Sequence, residues 1–210
     1  MNWNSFKSNW FSLLKESQAS FQMQEAVFRD LVDTHSAPVR YYHNLNHVRY
    51  LLDLSAEVEA IAERPTVIQL AAWFHDCVYN SQAQDNEINS AIYAVKTLNE
   101  LNIAPEVIKS VRQIILSTQK HQPIIDTLDC LIFLDLDLAI LGASLDEYRK
   151  YALAIRKEYS WLSDRDYQRG RKTVLANFIA RKRIYFTNYY YCRLEETARA
   201  NLAAEIALYI

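Results

Sequence analysis

Three passages of the chain place ionisable side chains where an apolar core is expected. In Tyr41-Tyr42-His43-Asn44-Leu45-Asn46-His47-Val48, the two histidines stand four residues apart, so on a helix they share a face. Taken alone, the passage also reads as a helix cap with a surface histidine. In Ala71-Ala72-Trp73-Phe74-His75-Asp76-Cys77-Val78-Tyr79, His75 and Asp76 close an otherwise apolar helix. Burying a lone carboxylate costs several kcal/mol unless it is paired or metal-bound; the competing reading is a His–Asp hydrogen bond inside the core. The third passage, Leu131 to Leu141, carries Asp135 and Asp137 in an apolar run. On a helix these point about 200° apart, so one can face the core while the other caps, pairs or meets water. A core-facing carboxylate there wants a cation, and Arg40 or Arg156 could supply it.

Together the passages offer neutral imidazole and carboxylate. Mixed N/O ligation suits a divalent Mn, Fe, Co, Ni or Zn, and Mg where waters complete the shell. A metal so held lowers the pKa of water towards about 7 and makes a hydroxide nucleophile.

Those residues need elements to position them, and helical periodicity supplies them. Trp3, Phe6, Trp10, Leu13 and Leu14 recur at three- and four-residue steps, and Phe21, Ala26, Val27, Leu31 and Val32 suggest a second helix. The patterning predicts further helices over 44–63, from Pro65 through Phe74, over 85–101 with Asp85 as cap, over 105–117, and over 124–141 with Gly142 as stop. Ser144 with Glu147 and Ser163 with Asp166 mark two more starts, and a last helix is expected over 197–208. Leu134 to Leu138 alternates with the period of a strand, but no partner strand is evident and helix is preferred. The expectation is a single all-α domain over 1–210, about ten helices, with a core at about 40–160 and flanking helices over 1–34 and 163–210 packed on it.

Composition removes other classes. Two glycines in 210 residues cannot write G-x-G-x-x-G or a P-loop. A net charge of −2 argues against a domain that wraps nucleic acid, so no nucleic-acid partner is expected. Three cysteines with no C-x-x-C pair read as free thiols of a reducing compartment. The N-terminus lacks a signal-peptide pattern and no segment is long and apolar enough for a membrane. The expected location is cytoplasmic.

The order His47, His75-Asp76 and a distant Asp137 in an all-helical chain resembles the HD superfamily of metal-dependent phosphohydrolases. His43-Asn44-x-x-His47 is similar to the start of the cyclic-nucleotide phosphodiesterase branch, whose first histidine is a general acid and second a metal ligand. Ala72 to Tyr79, Asp85-Asn86-Glu87, Asp137 to Gly142, Ile155 to Tyr159 and Gly170-Arg171 resemble a subgroup of small predicted HD phosphohydrolases. The resemblance spans Tyr42 to Arg171. It implies an HD-type fold and a divalent metal held by His47, His75, Asp76 and one of Asp135 or Asp137, with Asp137 preferred. The two-metal pattern has a further histidine pair before the last aspartate; here only His121 lies in that interval. The activity implied is hydrolysis of a phosphoester or phosphoanhydride, of a nucleotide by preference. A cyclic-nucleotide-type phosphodiesterase, a di-iron oxygenase and a non-catalytic nucleotide- or metal-binding module are the rivals.

Supporting roles follow, each beside a plainer reading. His43 could protonate a leaving group or contact backbone at a helix start. Glu87 could orient a water or bind a second metal through water, or be an ordinary first-turn glutamate. Lys120 and His121 could contact substrate or form a cationic helix end. Arg40, Arg156 and Arg171 could fork onto a phosphate or form ion pairs; Arg40 is the first choice for the phosphate. The fourteen tyrosines suit interhelical seams or a homodimer interface. Arg181-Lys182-Arg183 reads as a solvated helix end.

Overall fold

The computed structural model describes residues 3–209, apart from the side chains of Trp3 and Ser5. The parts of the N-terminal reading that fall on Met1, Asn2 and the Trp3 side chain lie outside the described residues. Ten α-helices run in chain order: α1 (Trp3–Leu13), α2 (Phe21–His35), α3 (Leu45–Glu57), α4 (Pro65–Phe74), α5 (Asn86–Glu100), α6 (Pro105–Thr118), α7 (Leu128–Leu138), α8 (Leu145–Glu158), α9 (Asp164–Ile179) and α10 (Asn188–Ala207), with a 3₁₀ turn at Ala139–Gly142. The described residues contain no strand, so the chain is all-α as expected. No helix among them is long and apolar enough to cross a membrane. Contacts divide the chain into two compact units, Met1–Phe133 and Leu134–Ile210, and the boundary falls inside α7.

The local chemistry explains most helix starts. Ser20, Asn44, Ser144, Ser163 and Thr187 each accept a hydrogen bond from a first-turn N–H, and Pro65 and Pro105 open their helices without losing a needed donor. Four expectations are corrected. Helix α3 ends at Glu57, not Glu63. Asp85 holds the cap position of α5 but makes no capping bond; Asn86 instead closes the preceding loop, exchanging two 2.9 Å bonds with the Asn80 backbone. Helix α7 starts at Leu128 rather than Ile124 and gives way to the 3₁₀ turn at Ala139. Helix α10 begins at Asn188, nine residues before the expected start.

In the first unit the central element is α4. Val67, Ile68, Leu70, Ala71, Ala72, Trp73 and Phe74 are all buried, as a helix apolar all round must be. It packs on α1, α3, α5 and α6. Trp73 is gripped edge-on by Phe6, Trp10 and Phe28 at 5.6, 5.6 and 5.9 Å, and its indole N–H donates to Asn9 at 3.0 Å. The residues just after it, His75 and Asp76, therefore leave a firmly fixed helix end.

His35, at the end of α2, is 1% exposed and donates from Nε2 to the Trp73 carbonyl at 3.1 Å. Burial, with the charge of Arg40 adding to it, pushes its pKa down to about 3. The native state holds this ring neutral, whereas the unfolded chain protonates it near 6.5. Its stabilising contribution is complete above about 6.5 and declines as pH falls towards 3. The stability difference between the wild type and His35→Gln should therefore narrow by about 2 kcal/mol from pH 7 to pH 5. Urea unfolding at the two pH values measures it, and a constant difference would refute it.

In the second unit, α10 packs on α9 and the 3₁₀ turn. Gly142 is required by close approach: a Cβ there would stand 2.6 Å from the Leu194 Cβ and 2.9 Å from its carbonyl. It has no positive φ, so it is not the left-handed helix stop expected from the sequence. A buried carboxylate, Glu205, collects donors from Arg171 (2.8 and 3.1 Å), Tyr148 and Tyr209. Arg171 is thus an ion-pair residue of this unit.

The connection between α9 and α10 is stapled by three charged side chains. Asp135, fully buried, accepts from the backbone N–H of Phe186 and Thr187 and from the Thr187 hydroxyl at 2.6–2.8 Å. Burial nevertheless pushes its pKa up to about 6. Glu195 accepts from the N–H of Ile184 and Tyr185. Arg199 donates to the carbonyls of Ile179, Arg181 and Lys182.

Candidate metal centre

Helix α3 presents His47 from its first turn, where Asn44 caps it. His43 precedes the cap, so the two histidines do not share a helical face as their spacing suggested. Their rings are nonetheless 6.0 Å apart. The end of α4 presents His75. His47 and His75 are buried, and their Nε2 atoms are 3.1 Å apart. Two imidazoles bound to one ion at about 2.0–2.1 Å place their nitrogens about 2.9 Å apart for a right angle and about 3.3 Å for a tetrahedral one. The observed separation lies between these values.

The proton inventory points the same way. His75 Nδ1 lies 3.2 Å from the Ala72 carbonyl, which can only accept, so Nδ1 carries a hydrogen and Nε2 is the nitrogen turned to the rest of the cluster. A ligand histidine whose other nitrogen donates to a backbone carbonyl is the usual outer-shell arrangement of metal sites. The Asp76 carboxylate sits 3.0 Å from His75 Nε2 and 4.0 Å from His47 Nε2. Helix α7 brings a further carboxylate. Phe133 meets the His75 ring at 5.5 Å, and Asp137 lies one turn beyond Phe133 on the same helix. One ligand atom from each of His47, His75 and Asp137 lies within 4.8 Å of the others. This group could hold a metal ion, and its imidazole–carboxylate donors fit a divalent one. Asp135, the rival, spends its oxygens on 186–187.

Arg40 has a different setting from a phosphate contact. It is 7% exposed and donates to the carbonyls of His43 (3.0 Å), Asp76 (2.6 Å) and Cys77 (3.0 Å), with its guanidinium 5.3 Å from the Tyr79 ring. It ties the His43 segment to the Asp76 segment. Ser90 on α5 holds the same corner by exchanging bonds with the Val78 N–H and carbonyl. Replacing Arg40 by Ala leaves three carbonyls short of a donor, and should cost about 3 kcal/mol of stability. Urea denaturation reads this; a loss below about 1 kcal/mol would show that the corner holds without it.

Glu87, in the first turn of α5, is half-buried. Burial and the Asp76 charge push its carboxyl up, while His121 and His75 draw it down, so it shares their electrostatic neighbourhood. His121 follows α6 with a left-handed backbone, φ 45°, and is half-buried; Lys120 beside it is exposed. Arg156 lies in the second unit and binds the Tyr159 and Leu162 carbonyls and Asp164 (2.7 Å) beneath the Tyr167 ring. Burial pushes the Cys77 thiol up to about 12, and its sulfur faces the Ser90 carbonyl at 3.9 Å.

Sequence reasoning passed over Tyr42 and Tyr79. Tyr79 stacks on His43 at 4.5 Å and Tyr42 lies 4.8 Å from the His47 ring. The available signal was that each histidine motif is flanked by tyrosine. Comparison with protein-family models, curated proteins and solved structures finds no match for this chain.

Proposed function

We propose that this protein is a metal-dependent phosphohydrolase of the HD type, acting on a phosphoester or phosphoanhydride, of a nucleotide by preference. The observation that carries the reading is the convergence of acceptors. Two imidazole nitrogens at 3.1 Å face the Asp76 carboxylate, and Asp137 joins the same cluster. The two imidazoles are buried and the two carboxylates half-buried, and acceptors gathered so closely without a cation would be costly.

A divalent ion bound there supplies Lewis acidity and an activated water. The chain's own residues supply the rest. His47, His75 and Asp137 are the proposed ligands, with Asp76 as a fourth or as the group that orients water. His43, fixed against Tyr79 and partly exposed, is the proposed proton donor to the leaving oxygen, since imidazole titrates near neutrality. Glu87 has a raised pKa and shares its surroundings with Asp76 and His121, which suits a role in orienting water. Lys120 brings positive charge to that end of α6, and His121 beside it is the other proposed substrate contact. Arg40 acts as a positioning residue.

Elemental analysis of protein purified without chelator, followed by a screen of nucleoside mono-, di- and cyclic phosphates with Mn or Mg, tests the reading. About one equivalent of metal and phosphate release from at least one substrate are expected. Failure to bind any divalent ion would end it. Metal without turnover would favour a non-catalytic module, and preferred cleavage of cyclic substrates the phosphodiesterase reading.

A further inference from the structure

Helix α8 carries a stripe that the core of the second unit does not use up. Leu145, Tyr148, Arg149, Ala152, Leu153 and Arg156 recur at three- and four-residue steps, so they lie along one side of the helix. The helix packs on the 3₁₀ turn, and long polar side chains join it to α9 and α10. Tyr148 donates to Glu205, Arg156 donates to Asp164 at 2.7 Å, and Tyr151 accepts from Arg171 at 3.2 Å. The stripe lines a cleft of about 710 Å³ whose other walls come from α9, α10 and the residues just after α10. That volume falls in the range of small-molecule sites.

The body of the cleft is apolar. Leu145, Leu153 and Leu208 line it and are 45, 65 and 74% exposed. Most of its polar groups are spent on the protein. Glu205 is held by Arg171 at 2.8 Å and Asp164 by Arg156. Arg156 also donates to the Tyr159 and Leu162 carbonyls, and Asn201 donates to those of Leu141 and Ala143. Arg149 differs. Its ion pair is with Asp146 at 4.0 Å, both side chains largely exposed, and such a contact holds little. The cleft thus joins three open leucines to one positive charge that the fold barely engages.

We infer that this cleft binds a free monocarboxylate with an alkyl body, its carboxylate on Arg149 and its chain against the leucines. The planar fork of arginine matches a carboxylate, and covering the leucines with an alkyl chain removes apolar surface of both from water. A second copy of this chain related by a two-fold axis would set the recess against the same recess, which fills neither. A bilayer takes up apolar side chains that protrude, whereas these line a cleft. The inference is independent of the hydrolase reading.

The test is isothermal titration calorimetry of the full chain in EDTA with octanoate, decanoate and octan-1-ol. Saturable binding of about one equivalent of each acid is expected. Two further buried methylenes, at about fourfold each, predict about fifteenfold tighter binding of decanoate than of octanoate. Arg149→Glu should weaken octanoate by at least about tenfold, the loss of a charged hydrogen bond, and leave octan-1-ol unchanged. Leu153→Asn should weaken acid and alcohol alike. Both positions are exposed, and circular dichroism confirms that the variants fold. No saturable binding of decanoate up to about 1 mM, or wild-type decanoate affinity in both folded variants, would overturn the inference. So would self-association in sedimentation that Leu153→Asn abolishes, which would give the face to a second copy, or binding to phosphatidylcholine vesicles that the same substitution prevents.

Discussion

The His75→Ala protein, purified without chelator, is expected to carry no divalent metal and to lose at least about a thousandfold in phosphohydrolase activity. His75 meets two other members of the proposed centre. Its Nε2 lies 3.1 Å from His47 and 3.0 Å from Asp76, and its Nδ1 is anchored on Ala72. Removing it takes one ligand away and frees the orientation of two others. A bound ion contributes several kcal/mol of transition-state charge stabilisation, and 1.36 kcal/mol is a factor of ten in rate. The fold should survive, because Trp73 and Phe74, not His75, anchor the end of α4. Circular dichroism and metal analysis on the same sample separate the cases. A folded, metal-free His75→Ala protein that still turns over at the wild-type rate would remove the metal from the mechanism altogether. Asp76→Ala should also release metal, while Asp76→Asn, which keeps a neutral oxygen near the imidazoles, should weaken it less.

The legibility of this centre varies with the kind of information each residue carries. His75 and Asp76 stood out because polar groups ended a helix with no solvent face, and burial makes such a pattern costly unless it is satisfied. Arg40 carries information of a different kind. Composition says that guanidinium suits phosphate, but only the chain path brings the His43, Asp76 and Cys77 carbonyls around it, and these use its fork. His43 and His47 were placed on one helical face by spacing; Asn44, a strong cap, starts the helix between them. Local hydrogen bonding outranked periodicity there.

The same contrast holds for the elements. Pro65, Pro105, Ser144 and Ser163 mark helix starts through one- to three-residue chemistry, and each was readable. Helix α10 was read from Thr197 because Tyr189-Tyr190-Tyr191 carries neither periodicity nor strong propensity. Its true start depends on Thr187, whose hydroxyl accepts from Tyr190 and donates to Asp135, fifty-two residues away in sequence. Asp85 had the residue type of a cap and did not act as one. No local pattern could reveal that Asn86 closes the loop to Asn80.

Asp135 and Asp137 should give opposite phenotypes, and this pair is the sharpest test of the site. They are two residues apart on α7, and helix geometry turns them to different faces. Asp135 is fully buried and answers three donors at 186–187. Asp135→Ala leaves two backbone N–H groups and a hydroxyl without their acceptor, at roughly 1–3 kcal/mol for each that stays unsatisfied. A total loss of roughly 3–5 kcal/mol is expected, since truncating one partner of a buried charged network costs about that much. Asp137 is only half-buried, and its oxygen lies with the nitrogens of His47 and His75. Asp137→Ala should change stability in EDTA by no more than about 1 kcal/mol, yet weaken Mn binding by at least about a hundredfold, the loss of a direct ligand exceeding the 10–100-fold typical of outer-shell partners. Urea denaturation in EDTA and metal titration of the folded variants give both numbers. The reverse outcome, metal retained in Asp137→Ala and lost from a still-folded Asp135→Ala, would reassign the closing carboxylate to Asp135 and require the 186–187 segment to give it up.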